Sequence, residues 1–529
     1  MSYAKLTSLS KSATTPQTQK IVGSNQEKNN AGGYSFVASI WDQLDRFLIL
    51  GSNSGSYYVS ANKMSADNAE ILLKLLVTDG VRVVERIAEV SDKGLAVKNA
   101  PAVFALAVAV KNGNPEVKKA ALANLAKVCR TSTDFFSFVD QYKQMGGGFG
   151  SSVRKALTKW YKDKDADQLA YQLVKYRQRD GWSHHDVLHL CHAKADSEVQ
   201  NNLFKFAKLN TSIEAAELPA IVHGYLKATT ASSVKEVVKL VEDYNLPREA
   251  LPTQFLNSPE VWDAMLPKMP ATALLRNLGT MASNGLLSKL SASEKLVASK
   301  LTNREWLAKS RIHPISILIA SKIYGSGRGL KGSNVWTPSA RIMDSLQDAF
   351  YNSFDNIEPT NENYLLGVDI SGSMMGSQVA GIPNFSAAEA SVALAMAINK
   401  QNQNSVIMGF SHKFVELDIT YKSRIEDAIR KAQRLGFGAT DCALPMVYAT
   451  QNKLDVDKFV VITDSETYFG ANGHPSQALQ HYRNAARKNS GLIVCATTAT
   501  QFTIADPKDP KQLDVVGFSP DVPRIIASL

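Results

Sequence analysis

The apolar positions of this chain change their period once. From Asp67 to about Phe350 they recur every three or four residues. Ala69–Val77, Val81–Val90, Ala102–Val110 and Val117–Val128 read as amphipathic helices. The same spacing predicts helices over Ser152–Lys162, Ala166–Tyr176, His184–His192, Glu198–Lys208, Leu218–Lys227, Val234–Tyr244 and Ser339–Ser353. Short breakers separate them, among them Asp79-Gly80, Asn112-Gly113-Asn114-Pro115 and Gly146-Gly147-Gly148. Helix pairs with short turns over such a length predict a solenoid of the HEAT or armadillo type, although no crisp internal repeat is visible.

Past Glu358-Pro359-Thr360 strands and helices alternate. Tyr364–Val368, Val406–Phe410, Phe414–Leu417, Phe459–Thr463 and Leu492–Ala496 read as strands, and Ala387–Lys400, Arg424–Ala432 and Pro475–Lys488 as helices. This order predicts a doubly wound parallel sheet, whose ligands bind at the carboxyl ends of the strands. The first strand runs into Asp369-Ile370-Ser371-Gly372-Ser373. Thr440 and the strand-end Asp464 come from two later loops, so five oxygen-bearing residues can converge. Such a donor set suits a hard cation such as Mg²⁺ and not zinc. The plainer alternative is a loop whose Asp and Ser side chains cap the next helix. The pattern resembles the metal-ion-dependent adhesion site of von Willebrand factor A domains. That resemblance implies Asp369, Ser371, Ser373, Thr440 and Asp464 as metal ligands, with one position open to a partner's anionic oxygen.

Charge divides along the same line. Of 59 Lys and Arg against 49 Asp and Glu, 15 against 17 lie from Asn356 onward, leaving 44 against 32 before it. The basic excess is therefore confined to the helical part, where a polyanion would bind. Four scattered cysteines form no CxxC pair, which speaks against structural zinc and a disulfide framework and fits a reducing cytosol. No apolar run approaches membrane-spanning length. A cytoplasmic protein with a flexible leader over residues 1–28 is expected.

A second constellation is Lys175-Tyr176-Arg177-Gln178-Arg179-Asp180-Gly181-Trp182-Ser183-His184. Three cations in five residues can pair with phosphates, Gln178 can read a base edge, and the flanking aromatics can stack. A charged, solvent-facing helix end is the plainer alternative. His185, His189 and His192 share one helical face, which also suggests a transition-metal site. Core or surface histidines are the commoner case.

Several motifs in order identify a wider resemblance. They include Arg46-Phe47-Leu48-Ile49-Leu50-Gly51, Lys159-Trp160-Tyr161, Gly181-Trp182-Ser183-His184, Leu274-Leu275-Arg276-Asn277-Leu278-Gly279 and Arg311-Ile312-His313-Pro314. In the second part Thr440-Asp441-Cys442-Ala443-Leu444-Pro445, Thr463-Asp464-Ser465-Glu466-Thr467 and Phe502-Thr503-Ile504-Ala505-Asp506-Pro507 complete it. The chain resembles the Ro autoantigen family, in which a TROVE module is joined to a von Willebrand factor A domain. The resemblance implies a multidomain α plus α/β architecture, with a closed ring of HEAT-like helical repeats over 29–357 and the second domain over 358–529. It implies a monomer that binds RNA without catalysis. Small Y-like noncoding RNA would lie on the outer surface, and single-stranded 3′ ends of misfolded RNA would enter the hole.

Family residues that contact Y RNA match Lys175, Arg179 and His192, with Arg177 and Gln178 as plausible neighbours. The glycine-rich run before Ser151 can present a helix start to an anion, and in the family that neighbourhood faces the hole, which adds Arg154 and Lys155. For a bacterial member the resemblance implies tethering to an exoribonuclease such as polynucleotide phosphorylase. The His184-His185-Asp186 run, His189 and the leader depart from the family's eukaryotic pattern. Two other readings compete: a metal-dependent protein–protein adhesion module with incidental RNA binding, and a nuclease built on Asp369 and Asp464. The second lacks a nearby base. Gly325–Gly332 is rich in glycine and cations but lacks GxxxxGK[ST], so it is no NTPase loop.

Overall fold

The computed structural model describes every residue except 1–13, 53–55, 57, 209–217, 330–332, 355–359, 380–381, 383–384, 436–437 and 470–471. The expected domain boundary at 357/358 lies outside the described residues, as do Leu330, Lys331 and Gly332 of the glycine-rich loop.

Strands β1 (Gln26–Lys28) and β2 (Tyr34–Val37) form an antiparallel hairpin ahead of the first helix, Ile40–Leu50. The stretch from residue 14 to 28, expected to be mobile, is instead docked. Gln17 is buried and donates to Asp441 Oδ1 at 2.7 Å and to the Gly473 carbonyl at 3.0 Å. Its polar composition looked like a solvated leader, yet those polar groups find fixed partners in the second domain.

Helices then follow one another around a closed circuit. Ala61–Lys93 packs on Ala100–Asn112, which packs on Ser132–Gln144 and on Pro115–Ala123. Pro115–Ala123 meets Ser151–Lys162, and that helix meets His184–Cys191. The path continues through Glu198–Ala207, Ala166–Lys175, Ala220–Thr229, Val234–Tyr244 and Pro259–Met265. A 3₁₀ turn at Leu266–Lys268 bridges to Ala292–Thr302, and Ala340–Asn352, Pro314–Gly325 and Ala271–Ser283 complete the sequence of contacts. The circuit shuts where Arg311, in the left-handed conformation that ends Arg304–Ser310, pairs with Asp92 at 2.9 Å. Asp92 lies in the last turn of Ala61–Lys93, so residues 219 apart in sequence become neighbours.

Two predicted helices are one. Asp79-Gly80 does not end Ala61–Lys93 but kinks it, Asp79 taking φ −150° and ψ 51°. Gly80 lies so close to Val117 that a Cβ there would sit 2.4 Å from its methyl. The core between Ser132–Gln144 and Ser151–Lys162 is aromatic, with Phe135 stacked on Trp160 at 4.1 Å and Tyr161 edge-on at 5.5 Å.

Strands β3 (Gln178–Arg179) and β4 (Trp182–Ser183) interrupt the helices as a two-residue hairpin. The second unit is a six-stranded sheet of β5 (Tyr364–Asp369), β6 (Ser405–Phe410), β7 (Phe414–Glu416), β8 (Lys458–Thr463), β9 (Gly491–Ala496) and β11 (Gln512–Val516). β10 (Phe502–Thr503) leaves that sheet to pair with β2. The spatial order is β11-β9-β8-β5-β6-β7, parallel except for the edge strand β7. β5 and β8 are buried throughout, as their unbroken apolar runs require.

The two units are tied by more than the linker. Arg46, 1% exposed, donates to the carbonyls of Thr500 and Phe502 at 2.7 Å each and pairs with Asp514 at 2.6 Å. Lys322 pairs with Glu389 at 2.7 Å, and Arg424 with Asp344 at 2.8 Å.

Candidate functional site

Two regions carry the chemistry that the sequence suggests. The first stands at the carboxyl ends of β5 and β8, where Asp369, Ser371, Ser373 and Asp464 lie together and, like Thr440, are buried. Several of their polar atoms are engaged with neighbours, while Asp464 Oδ2 is buried with no hydrogen-bond partner among the described residues. Thr463 Oγ1 donates to Asp369 Oδ2 at 2.6 Å, and the Ser371 N–H to Asp369 Oδ1 at 2.9 Å. The Ser371 and Ser373 hydroxyls lie 3.1 Å apart, and the Glu466 N–H donates to Asp464 Oδ1 at 3.1 Å. The Thr440 carbonyl accepts from the Tyr468 and Phe469 N–H groups. Burial, reinforced by the Asp464 charge, raises the Asp369 carboxyl above its ordinary range, and burial raises Asp464 likewise.

The expectation of Mg²⁺ at this cluster is corrected. Among the described residues no group of three or more His, Cys, Asp or Glu side chains is placed to hold a metal ion. Only two carboxylates face each other here, because Asp441 is turned away and taken up by Gln17 and by Asn472 Nδ2 at 3.0 Å. Hydroxyl and amide hydrogen bonds engage both oxygens of Asp369 and one oxygen of Asp464. The metal-dependent adhesion reading loses its cation with this finding.

The N-terminal segment covers these loops. Asn30 Nδ2 donates to Glu466 Oε1 at 2.6 Å and the Ala31 N–H to Oε2 at 3.1 Å. Asn29 Nδ2 donates to the Thr467 carbonyl at 2.7 Å. Burial pushes the Glu466 carboxyl up to about 7 and Asp441 up to about 6. Residues 29–31, which directly follow the leader expected over 1–28, therefore belong to this face of the molecule.

The second region is basic. Ala166–Lys175 starts on Asp165, whose side chain accepts from the Gln168 N–H, and ends at Tyr176. The chain then turns through Asp180 (φ 53°) and Gly181 (φ 78°), the paired positive φ angles that an Asp-Gly hairpin turn supplies. Ser183 and Asp186 make a capping box that starts His184–Cys191, and His192 ends it in the left-handed conformation. Helix 132–144 anchors the hairpin: Ser137 donates to Asp180 Oδ2 at 2.5 Å, and Lys143 lies 4.9 Å over the Trp182 ring.

This geometry sorts the sequence-predicted residues into three neighbouring places. Arg154, Lys155 and His192 line one open concavity of about 730 Å³, together with Lys159, Lys162 and Lys194. Arg177 and Gln178 line a second of about 440 Å³, with His184, His185 and Phe206 on its walls. Lys175 lines a third of about 110 Å³ beside Tyr171, Arg248 and Lys268. Lys175 Nζ donates to the Tyr171 hydroxyl at 2.8 Å and faces the Tyr176 ring at 5.2 Å. Arg177 donates to the Tyr225 hydroxyl and lies 5.2 Å from its ring. Arg179 is exposed at the hairpin end, with Asp180 at 3.3 Å.

Sequence reasoning missed Lys159, Lys162, Lys194, Arg248 and Lys268. For the first two the signal was present, since Lys155, Lys159 and Lys162 recur at helical spacing beside Arg154. Lys194, Arg248 and Lys268 come from separate segments, and no spacing announces them.

The histidines divide by burial. His184 is buried among Phe136, Trp160 and Tyr161, with Nδ1 3.0 Å from the Tyr161 hydroxyl. Burial pulls its imidazole down to about 3. His185 and His189 rings lie 4.5 Å apart. His192 leaves the helix at its cap, so the suggested three-histidine face is not formed. His313 is buried too, accepts from the Ile315 N–H at 3.2 Å, and is likewise pulled down to about 3 by burial.

Comparison with known proteins gives the same two units. The TROVE domain profile matches residues 27–226 and 243–323, and the Ro60 vWA domain profile matches 363–529. The chain is 37% identical over 520 residues to the RNA-binding protein RO60 of Deinococcus radiodurans, covering 97% of this chain and 96% of that protein. It is 34% identical over 590 residues to the RNA-binding protein RO60 of Caenorhabditis elegans, covering 97% and 91%. The crystal structure of the Deinococcus radiodurans RO (RSR) protein superposes with a TM-score of 0.70 at 37% identity, covering 93% of this chain and 99% of that one. Among the described residues no helix is long and apolar enough to cross a membrane. A helical circuit matched by the TROVE profile, joined to a parallel sheet matched by the Ro60 vWA profile, means that this chain belongs to the Ro60 family.

Proposed function

We propose that this protein is a non-catalytic RNA-binding scaffold of RNA quality control. Its outer face takes a small Y-like noncoding RNA through Lys175, Arg177, Gln178, Arg179 and His192. Arg154 and Lys155 guide single-stranded 3′ ends of misfolded RNA toward the ring hole. A tethered exoribonuclease, polynucleotide phosphorylase in a bacterial host, receives the strand. The two units divide the work, a basic helical ring of residues 29–357 and a near-neutral domain of 358–529.

One observation carries this reading: the basic side chains of the helical part gather into adjoining concavities on neighbouring helices, with aromatic rings beside them. Cations supply phosphate contacts, and Tyr171, Tyr176 and Trp182 supply the faces on which unpaired bases stack. The relatives named RNA-binding protein support it by homology.

The test is a pair of binding titrations on the full-length protein, one with a Y-RNA-like stem-loop and one with a single strand. Lys175→Ala with Arg179→Ala weakens the stem-loop and spares the strand; equal loss of both removes the two-surface arrangement. Single-strand affinity falls with salt at a log–log slope of about −0.7 per phosphate neutralised.

A further inference from the structure

A crevice of about 480 Å³ opens where the helical circuit closes against the second unit, and it shares no residue with the three basic concavities. Leu275 and Ile319 supply an apolar floor from two helices of the late part of the ring. Lys98 arrives from the early part, and Ile382 from the second unit. Trp336 forms a wall whose position is fixed. Its indole N–H donates to the Tyr324 carbonyl at 2.8 Å, its ring lies 6.1 Å from that of Tyr324, and its edge meets Gly279. A Cβ at Gly279 would stand 2.6 Å from the indole, so only glycine admits the ring there.

Arg276 lines the same crevice, is exposed, and makes no hydrogen bond or ion pair among the described residues. The site thus joins an apolar, aromatic interior to an unpaired guanidinium. Its complement is a ligand with a flat apolar body and an anionic head. Guanidinium matches phosphate oxygens in a two-pronged geometry, and the π-face of any base packs on aromatic and aliphatic side chains. The volume and the position between units are those of small-molecule sites.

We propose that this crevice binds a nucleoside monophosphate, free or as the terminal residue of an RNA strand, with the base over Leu275 and Ile319 beside Trp336 and the phosphate on Arg276. The strand-borne form rests on the RNA-binding reading above; the free form does not.

Calorimetric titration of the full-length protein with adenosine 5′-monophosphate and uridine 5′-monophosphate tests it, alongside adenosine and inorganic phosphate as the separate parts. Each nucleotide binds more tightly than either part, and Arg276→Gln weakens nucleotide about ten- to hundredfold while leaving adenosine unchanged. Ile319→Glu, checked for an unchanged melting profile, weakens both nucleotide and adenosine. Lys175→Ala with Arg179→Ala leaves nucleotide binding as it was.

Absence of saturable nucleotide binding, or indifference to Arg276→Gln, overturns the assignment. Equal affinity for N-acetyltryptophan also overturns it, pointing to an acidic peptide. Displacement of the nucleotide by a short oligouridylate, lost in Arg276→Gln, assigns the strand end; binding of nucleotide without such displacement assigns the free form. If neither oligouridylate nor the stem-loop binds anywhere on the protein while the nucleotide does, the RNA-binding reading falls and the crevice stands.

Discussion

Histidine shows how little residue type says without burial. His184, His185, His189 and His192 lie within nine positions and look alike in sequence, yet His184 is sealed in an aromatic cluster while His189 and His192 are exposed. His184 and His313 remain neutral in the fold because burial holds both near 3. The unfolded chain binds their protons below about pH 6.5. Each therefore withdraws stability as the pH falls from about 6.5 toward 3, by about 1.4 kcal/mol per pH unit. Asp441 and Glu466 act in the opposite sense, since carboxyls raised to about 6 and about 7 take up protons in the fold before the unfolded chain does. The clean observable is a difference: between pH 6 and pH 4, His184→Phe loses less stability than the parent by about 1.4 kcal/mol per unit in chemical denaturation. Parallel pH curves for the two would show that His184 is not held neutral.

The same residue scale explains the magnesium correction. Asp369, Ser371, Ser373, Thr440 and Asp464 were legible as a set of oxygen-bearing loop residues, and all five are buried. Their hydrogen-bond partners were not legible, because Thr463 has its own role as a strand residue and Gln17 is more than 400 positions from Asp441.

At the scale of elements, the Asp180-Gly181 turn fixes where Gln178 and Arg179 stand. Gly181 has φ 78°, which costs an L side chain about 1 kcal/mol. Gly181→Ala should leave the melting temperature within a few degrees of the parent but weaken the stem-loop several-fold, measured by filter binding. An unchanged affinity would separate the hairpin from the interface. Helical periodicity located most elements of the ring's first half, since amphipathic faces were long and breakers strong. It missed Ser132–Gln144 and the helices between Pro259 and Gly325. Pro314–Gly325 is apolar nearly all round, buried between neighbours, so it carries almost no face pattern. β10 and β11 escaped for a different reason: β10 is two residues long, and β11 lies at the edge of the sheet.

Across the whole molecule, Arg46 is the largest buried charge between the units. Replacing it strands Asp514 and two carbonyls away from water, and Arg46→Met should cost about 3–5 kcal/mol. Calorimetry should show a lowered or split transition, with Asp514→Leu in the same chain restoring much of the loss. A cost under about 1 kcal/mol, the usual worth of an exposed pair, would mean that Arg46 does not hold the units together. The Arg311–Asp92 pair that closes the ring is half exposed and belongs to that weaker class. Closure rests instead on packing around the junction, where Gly94 fits against the Arg311 backbone.

Local rules within the chain determined a great deal: helical and strand periods, the sheet's buried strands, the location of the basic excess, and the oxygen-rich loop. These depend on neighbours three, four or two residues away, which a sequence displays directly. Tertiary structure alone decided that residues 14–28 dock over the loops of the second unit, that Asp441 is satisfied by Gln17, and that Arg276 faces a crevice beside Trp336. Each depends on contacts between distant segments. Periodicity has no term for them, because the partner of a buried polar group is chosen by the path of the whole chain.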